Sequence, residues 1–372
     1  MLRLNPVMLS EHEIGRGIMY DFLMGQTTSW SETEHLFNAE LLTKAKQLLK
    51  ELIEFEAWLP VNIPIANLWL EGEPTQIGNV TFVTITEQEL KQWVSKRVLW
   101  SEKAPEVHVL ARVNAPGDQQ QALTYARTQV NLIIDVFRAF CFPFGHHSDT
   151  WLVGIVGEII SYASTPMRID RNGMKDFVTQ IGPGLIEVEL RRDILSRLSQ
   201  QQWKLINKLI MKTNYSKMEN KLLDGIHWLA ESTKPDTNNS KFAKISFALE
   251  TLLGGEPKDE ELKVRGITAM LAERAAFILG EDLDNRLEID KDIRKYYKIR
   301  GGIVHGGGEN VSLDDIDEFG QLVRHIAIAL LEKPDELGTE ISDVDKLQAW
   351  VNKQKYTFPS SNNKEKKLNA KS

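Results

Sequence analysis

The sequence predicts an α+β domain followed by an all-α, up-and-down helical bundle, on three observations. Alternating and β-branched apolar runs are confined to the chain before about residue 190. After Asn214 every apolar pattern recurs at helical spacing. The connections between those helical segments are short, which favours antiparallel neighbours. The expected organisation is therefore an α+β domain over residues 1–212, a bundle over 213–335, and a polar, lysine-rich flexible tail over 336–372.

With 372 residues the chain is long enough for two ordinary domains, each with a core. An apolar fraction of 42% beside 26% charged residues describes a soluble globular protein. The net charge of −7 argues against coating nucleic acid by bulk electrostatics, although it leaves room for a local basic site. A single cysteine, Cys141, excludes an intrachain disulfide framework and fits a reducing compartment. The stretch from Met1 to Pro6 opens no apolar signal-peptide run, and no segment reaches the ~20 apolar residues of a spanning helix. The expectation is a cytoplasmic protein with no membrane partner.

In the first domain, Ser10–Glu13 opens a short helix, and Leu36, Leu41, Ala45, Leu48 and Leu52 give a longer one. Ile63 to Leu70 and Asn79 to Ile85 read as strands, joined by a hairpin-like connection over Gly72–Gly78. Val107 to Val113 is a third strand, stopped by Pro116-Gly117. Asp118 is placed to cap an amphipathic helix with Ala122, Ala126, Val130, Ile133, Phe137 and Phe140 on one face. Trp151 to Tyr162 fits either a strand or a buried helix, and Leu185 to Leu190 a short strand before a polar helix ending near Met211.

In the bundle, Leu222, Ile226 and Leu229 define one helix. Asn238-Asn239-Ser240 supplies cap candidates for the next, which carries Phe242, Ile245, Leu249 and Leu252 and stops at Gly254-Gly255. A third runs from about Glu261 to Gly280. The fourth carries Ile289, Ile293 and Tyr296-Tyr297. The fifth starts at Ser312, with Asp315 in a capping-box arrangement, and shows Ile316, Phe319, Val323, Ile326 and Leu330.

Continuing the spacing of the fourth helix places Arg300 on the inward stripe, where a charge must be paired or used. His305 follows five residues later. Gly301 and Gly302 weaken the helix between the two, and Gly306 to Gly308 offer a stop. Two roles are open for Arg300: a working cation, or a structural one paired with Glu250 or Glu273 while His305 caps a helix end. From Lys291 to His305 five basic residues (Lys291, Arg294, Lys295, Lys298 and Arg300) face one acidic residue, Asp292. Such a run is either a solvated helix face or a cradle for a phosphodiester backbone.

Phe247–Leu253, Arg274 within Leu271–Ala276, Tyr296–Arg300 and Ile303-Val304-His305-Gly306 together resemble the HEPN superfamily, closest to its Apea-like branch. The resemblance covers residues 214 to 332 and centres on an Arg-x4-His signature, Arg300 to His305. It implies a homodimer of helical bundles and a metal-independent endoribonuclease, with Arg300 and His305 as the catalytic pair and no cofactor. A role in antiviral defence or toxicity, with the α+β domain answering a protein or phage-derived trigger, follows the same resemblance. Gly301 stands where many active members carry Asn, Asp or His.

The chemistry suits these residue types. RNA cleavage without a metal requires deprotonation of a ribose 2′-OH, attack on the adjacent phosphorus and a proton for the leaving 5′ oxygen. An imidazole titrates in the right range for either transfer. A guanidinium matches the non-bridging phosphate oxygens. Lys291, Arg294, Lys295 and Lys298 are candidate backbone contacts, and Tyr297 a candidate stacking platform or core residue. His146-His147-Ser148-Asp149 lacks spaced metal-ligand partners, and His325 and Cys141 fit packing roles better than chemical ones. No phosphate-binding glycine loop or nucleophile elbow is present.

Overall fold

The computed structural model describes residues 58–86, 88, 107–117, 119–148, 151–156, 167–169, 175–177, 188–255, 266–304, 310–333 and 342–356. The expected helices before residue 54, the Asp118 cap, the start of the third bundle helix at Glu261, His305 with Gly306–Gly308, and the terminal lysine run lie outside the described residues. Contacts divide the chain into two units. One comprises Met1–Ile134, Val153–Gly182 and Ile186–Arg191; the other comprises Asp135–Leu152, Pro183–Leu185 and Arg192–Ser372. This differs from the boundary expected at residue 212, because the segments 135–152 and 192–212 make their contacts among the helices.

The first unit is built on a sheet of β1 (Trp58–Ala66), β3 (Thr75–Ile77), β4 (Val80–Thr84), β5 (Val107–Pro116) and β6 (Gly154–Ile155), in the order β3-β4-β5-β1-β6. All of its pairings are antiparallel. β1 and β5 pair along their length from Trp58 opposite Pro116 to Ile65 opposite Val109, and a register shift follows at Ala66. Alternate β5 residues Val109, Ala111, Val113 and Ala115 are buried, the two-residue period expected of a sheet with one covered face. Pro60 and Pro64 lie where β1 pairs with β5, short of the β6 pairing at Ile65 and Ala66, so the missing amides break no second ladder among the described residues. β3 falls inside the stretch expected to be a plain connection; Gly78, at φ 59°, makes the turn into β4. β2 (Leu68–Trp69) pairs in parallel with β9 (Val188–Glu189), and β7 (Met167–Ile169) with β8 (Lys175–Phe177) antiparallel.

Helix α1 (Gln119–Cys141) begins in this unit, where Ala122, Ala126, Val130 and Ile133 are buried as its spacing predicts. The Asn79 amide donates to the Tyr125 hydroxyl at 2.9 Å, joining α1 to the β3–β4 turn.

The second unit is helical: α2 (Gln200–Ile210), α3 (Lys217–Ser232), α4 (Asn238–Leu253), α5 (Ile267–Leu279), α6 (Leu283–Val304), α7 (Leu313–Leu331) and α8 (Val344–Tyr356). α4 is central, packed against α3, α5, α6 and α7. Its buried side chains include Phe242, Ile245, Ala248, Leu249, Leu252 and Leu253. Phe242, Tyr296 and Phe319 form an aromatic cluster that locks α4, α6 and α7 together, with ring centroids 4.9 Å apart for Phe242–Phe319 and 4.6 Å for the stacked Tyr296–Phe319 pair. Gly225 on α3 meets Leu252 so closely that a Cβ would lie 2.6 Å from the leucine, which sets how near α3 and α4 approach.

Three sequence expectations are adjusted. The N-cap of α4 is Thr237, one residue before the Asn238-Asn239-Ser240 run, because its hydroxyl accepts the Ser240 amide at 3.2 Å. Ser312 caps α7 by accepting the Asp315 amide, but the Asp315 carboxylate returns to the Ser312 hydroxyl at 2.6 Å rather than to a main-chain amide. The segment 336–372, expected to be a flexible tail, contains α8, whose Leu347, Trp350 and Val351 are buried and which packs against α5. No helix among the described residues is long and apolar enough to cross a membrane.

Candidate functional site

The site grows from α6. Ile289, Ile293, Tyr296 and Tyr297 form its buried stripe, and the aromatic cluster fixes its rotation. The helix continues through Gly301 and Gly302 to Val304, since glycine costs only about 1 kcal/mol in a helix and removes no main-chain hydrogen bond. Arg300, one turn beyond Tyr296 and Tyr297, therefore sits on a regular helix near its C-terminal end.

Its side chain is 29% exposed, and Nη2 lies 3.2 Å from Glu250 Oε1 on α4. The Tyr297 hydroxyl donates to the same carboxylate oxygen at 2.8 Å. Burial, helped by the hydrogen bond to Glu250, pushes the Tyr297 phenol far above its usual range, so it stays a donor at every physiological pH. Glu250 is thereby held between a phenol and a guanidinium. The Arg300 Nε is buried without a hydrogen-bond partner among the described residues. The arrangement fixes a planar cation at the margin of the core, with Nη2 on Glu250 and Nε covered. Of the two partners expected for a structural arginine, the structure has Glu250; Glu273 instead pairs with Lys355.

His305 lies outside the described residues, and the other basic candidates do not converge on Arg300. At 3.6 residues per turn, Lys298 is rotated by about 200° and Lys295 by about 140° from it, and both are exposed on the outer side of α6. Lys291 is exposed on the same outer side. Arg294 is held by Asp290 through contacts of 2.7 and 3.2 Å. Lys295 lies between Asp315 at 3.2 Å and Glu318 at 3.3 Å, over the Tyr296 ring. Tyr297, at 8% exposure, is a core residue, which corrects its assignment as a substrate contact: a base cannot stack on a ring that is already covered. The basic surplus counted along the sequence is thus reduced in space by Asp290, Asp315 and Glu318. Asp290 was legible as the i−4 partner of Arg294; the two α7 carboxylates carried no signal within the α6 sequence.

Elsewhere, His146 Nε2 lies 3.0 Å from Asp314. Cys141 is buried with its thiol directed at the Ile194 carbonyl, and burial pushes it up to about 12, so it is no nucleophile. His325 is lowered by burial and by Arg324.

Against known proteins, no family model, no curated protein and no solved structure matches this chain.

Proposed function

We propose that this chain is a metal-independent endoribonuclease of HEPN type, working in the cytoplasm as a homodimer, with Arg300 as the phosphate-binding cation and His305 as the proton-transfer group. The observation that carries the reading is the posture of Arg300. Glu250, itself held by the Tyr297 hydroxyl, fixes the guanidinium at the edge of the core while the side chain stays 29% exposed. In the proposed reaction an imidazole accepts the 2′-OH proton, and the oxygen attacks phosphorus to form a 2′,3′-cyclic phosphate. The leaving 5′ oxygen takes a proton from the second protomer's imidazole. The guanidinium stabilises the negative charge that gathers on the non-bridging oxygens. The sheet-containing unit would then receive the trigger, a protein or phage-derived partner.

Purified full-length protein should cut single-stranded RNA in EDTA and spare a substrate with a single 2′-deoxy substitution at the scissile nucleotide. Arg300→Ala and His305→Ala should each lower the rate by ~10²-fold or more while leaving the far-UV circular dichroism unchanged. Cleavage that survives both substitutions sinks the proposal.

A second reading is supported by the same contact. An Arg300 already ion-paired within its own bundle suits a silent HEPN-type module that dimerises or holds a partner or RNA. It predicts a folded dimer that cuts no RNA, and whose association survives His305→Ala.

A further inference from the structure

A different part of the helical unit carries three ligand-type side chains from two helices. His227 and Glu231 stand four residues apart on α3, hence on one face. Asp135, 92 residues upstream on α1, meets them there, its Oδ2 2.7 Å from His227 Nδ1. One ligand atom from each of the three lies within 4.8 Å of the others. We propose that Asp135, His227 and Glu231 form a site for a divalent transition-metal cation of zinc type. The proposal does not depend on the ribonuclease reading.

The geometry and the donor set both point to that class. Zinc holds nitrogen and carboxylate oxygen at about 2.0–2.2 Å, so tetrahedral donors lie roughly 3.4 Å apart. The Asp135–His227 contact has only to open slightly, and the widest separation to close by less than an amino-acid rotamer change moves a carboxylate. One imidazole and two carboxylates suit zinc and its first-row neighbours better than calcium, which takes only oxygens. The carboxylates are largely covered, with side chains 14% exposed for Asp135, while the imidazole is 53% exposed and leaves a path for the ion and a water.

Without a metal, the negative charge of Glu231 is met by Lys234, its neighbour one turn on, through Oε1. Lys244 lies close by on the Glu231 carbonyl at 3.3 Å and on Asp236 at 2.9 Å. A cation at the three ligands would take over the Glu231 carboxylate from Lys234, so the lysine and the metal compete. This makes a specific prediction that an ordinary surface ion pair does not: removing the lysine charge should tighten metal binding.

The test uses the full chain stripped with a chelator and dialysed, titrated calorimetrically with zinc chloride, with cobalt(II) absorption as a second readout. The expected result is one ion per chain and a four-coordinate cobalt spectrum. Asp135→Asn and Glu231→Gln should each weaken binding by about tenfold or more, and His227→Gln should abolish it. Lys234→Met should strengthen it, and His146→Gln, which alters a separate exposed His–Asp pair, His146 with Asp314, should leave it unchanged. All five positions are at or near the surface, and circular dichroism checks that each variant is folded. Absence of stoichiometric binding by the wild type overturns the proposal, as does binding by His227→Gln with wild-type affinity or loss of binding in His146→Gln.

Discussion

Arg324 is 9% exposed, its Nε donates to the Ala139 carbonyl at 2.7 Å, and its Nη2 donates to that of Phe142. Its guanidinium also lies over the Phe144 ring at 4.3 Å. Burial pushes the group down to about 10, which still leaves it charged at neutral pH. Arg274, fully buried, does the same for the end of α4, donating to the Leu253 carbonyl and to Gln348 Oε1 on α8. Both arginines are thus tolerated by satisfying carbonyls that a helix end leaves open. Arg324→Met keeps the volume but leaves two carbonyls at the end of α1 without donors, a loss that outweighs the relief of removing a buried charge. It should destabilise the protein by about 2–4 kcal/mol, read as a lower urea midpoint with an unchanged slope. None of this was legible in the sequence, where Arg324 had no recognisable partner. Its acceptors are main-chain atoms 182 and 185 residues away. Glu250 was legible as one of two candidate partners for Arg300 because Arg300 continues the inward stripe of its helix and Glu250 is an acid on a neighbouring predicted helix. The contribution of Asp135 to the α3 cluster was not, since the His227–Glu231 spacing shows only two of the three ligands.

At the scale of elements, α3 opens with a complete capping box. Ser216 Oγ accepts the Glu219 amide at 3.1 Å and Glu219 Oε2 accepts the Ser216 amide at 2.8 Å, while Oε1 accepts Lys212 Nζ. Burial, the largest influence on Glu219, raises its pKa, but the Lys212 and Ser216 hydrogen bonds together outweigh it and the net shift is downward. A carboxylate lowered in the folded state contributes stability that is present above its ordinary pKa, near 4.3, and is lost as pH falls through the folded value. Glu219→Gln keeps the cap and removes only the charge. It should therefore cost about 0.5–1 kcal/mol at pH 7 and progressively less at acid pH, measured by urea unfolding across the pH range. A cost that stays constant down to pH 3 would mean that the charge on Glu219 contributes nothing. Faces such as Ala122–Phe140 and Leu222–Leu229 were legible because burial repeated their helical period over several turns. β3 was missed because three residues carry no period, and α8 because Leu347, Trp350 and Val351 span a single turn among charged neighbours.

On the scale of the whole molecule, the helical unit is assembled from separate stretches of chain, which no pattern in the sequence announces. Periodicity reports which face of a helix is buried, not which distant segment covers it. Asp135–Leu152 belongs with the helices through polar contacts as specific as any in the core. The Asp317 carboxylate on α7 accepts the amides of Gly145 at 2.7 Å, His146 at 3.0 Å and Phe144 at 3.3 Å. Gly145 approaches α7 so tightly that a Cβ would meet the Leu313 carbonyl at 2.3 Å, and Phe144 packs on Gly320. Lys241, 2% exposed on α4, donates to Ser148 Oγ at 2.8 Å. A fragment beginning at residue 213 would remove all of these partners at once. Arg324 would lose its two carbonyls, Asp317 its three amides and Lys241 its hydroxyl, leaving three charged groups facing a partly uncovered apolar surface. Each loss of this kind costs on the order of 1–3 kcal/mol, so together they approach the whole stability of an ordinary domain, about 5–15 kcal/mol. The fragment should keep much of its far-UV helical signal but lose its near-UV signal and bind a hydrophobic dye, with no cooperative urea transition. If it instead unfolds cooperatively at the midpoint of the helical unit in the full chain, the 135–152 segment is an ornament on the bundle and not part of its core.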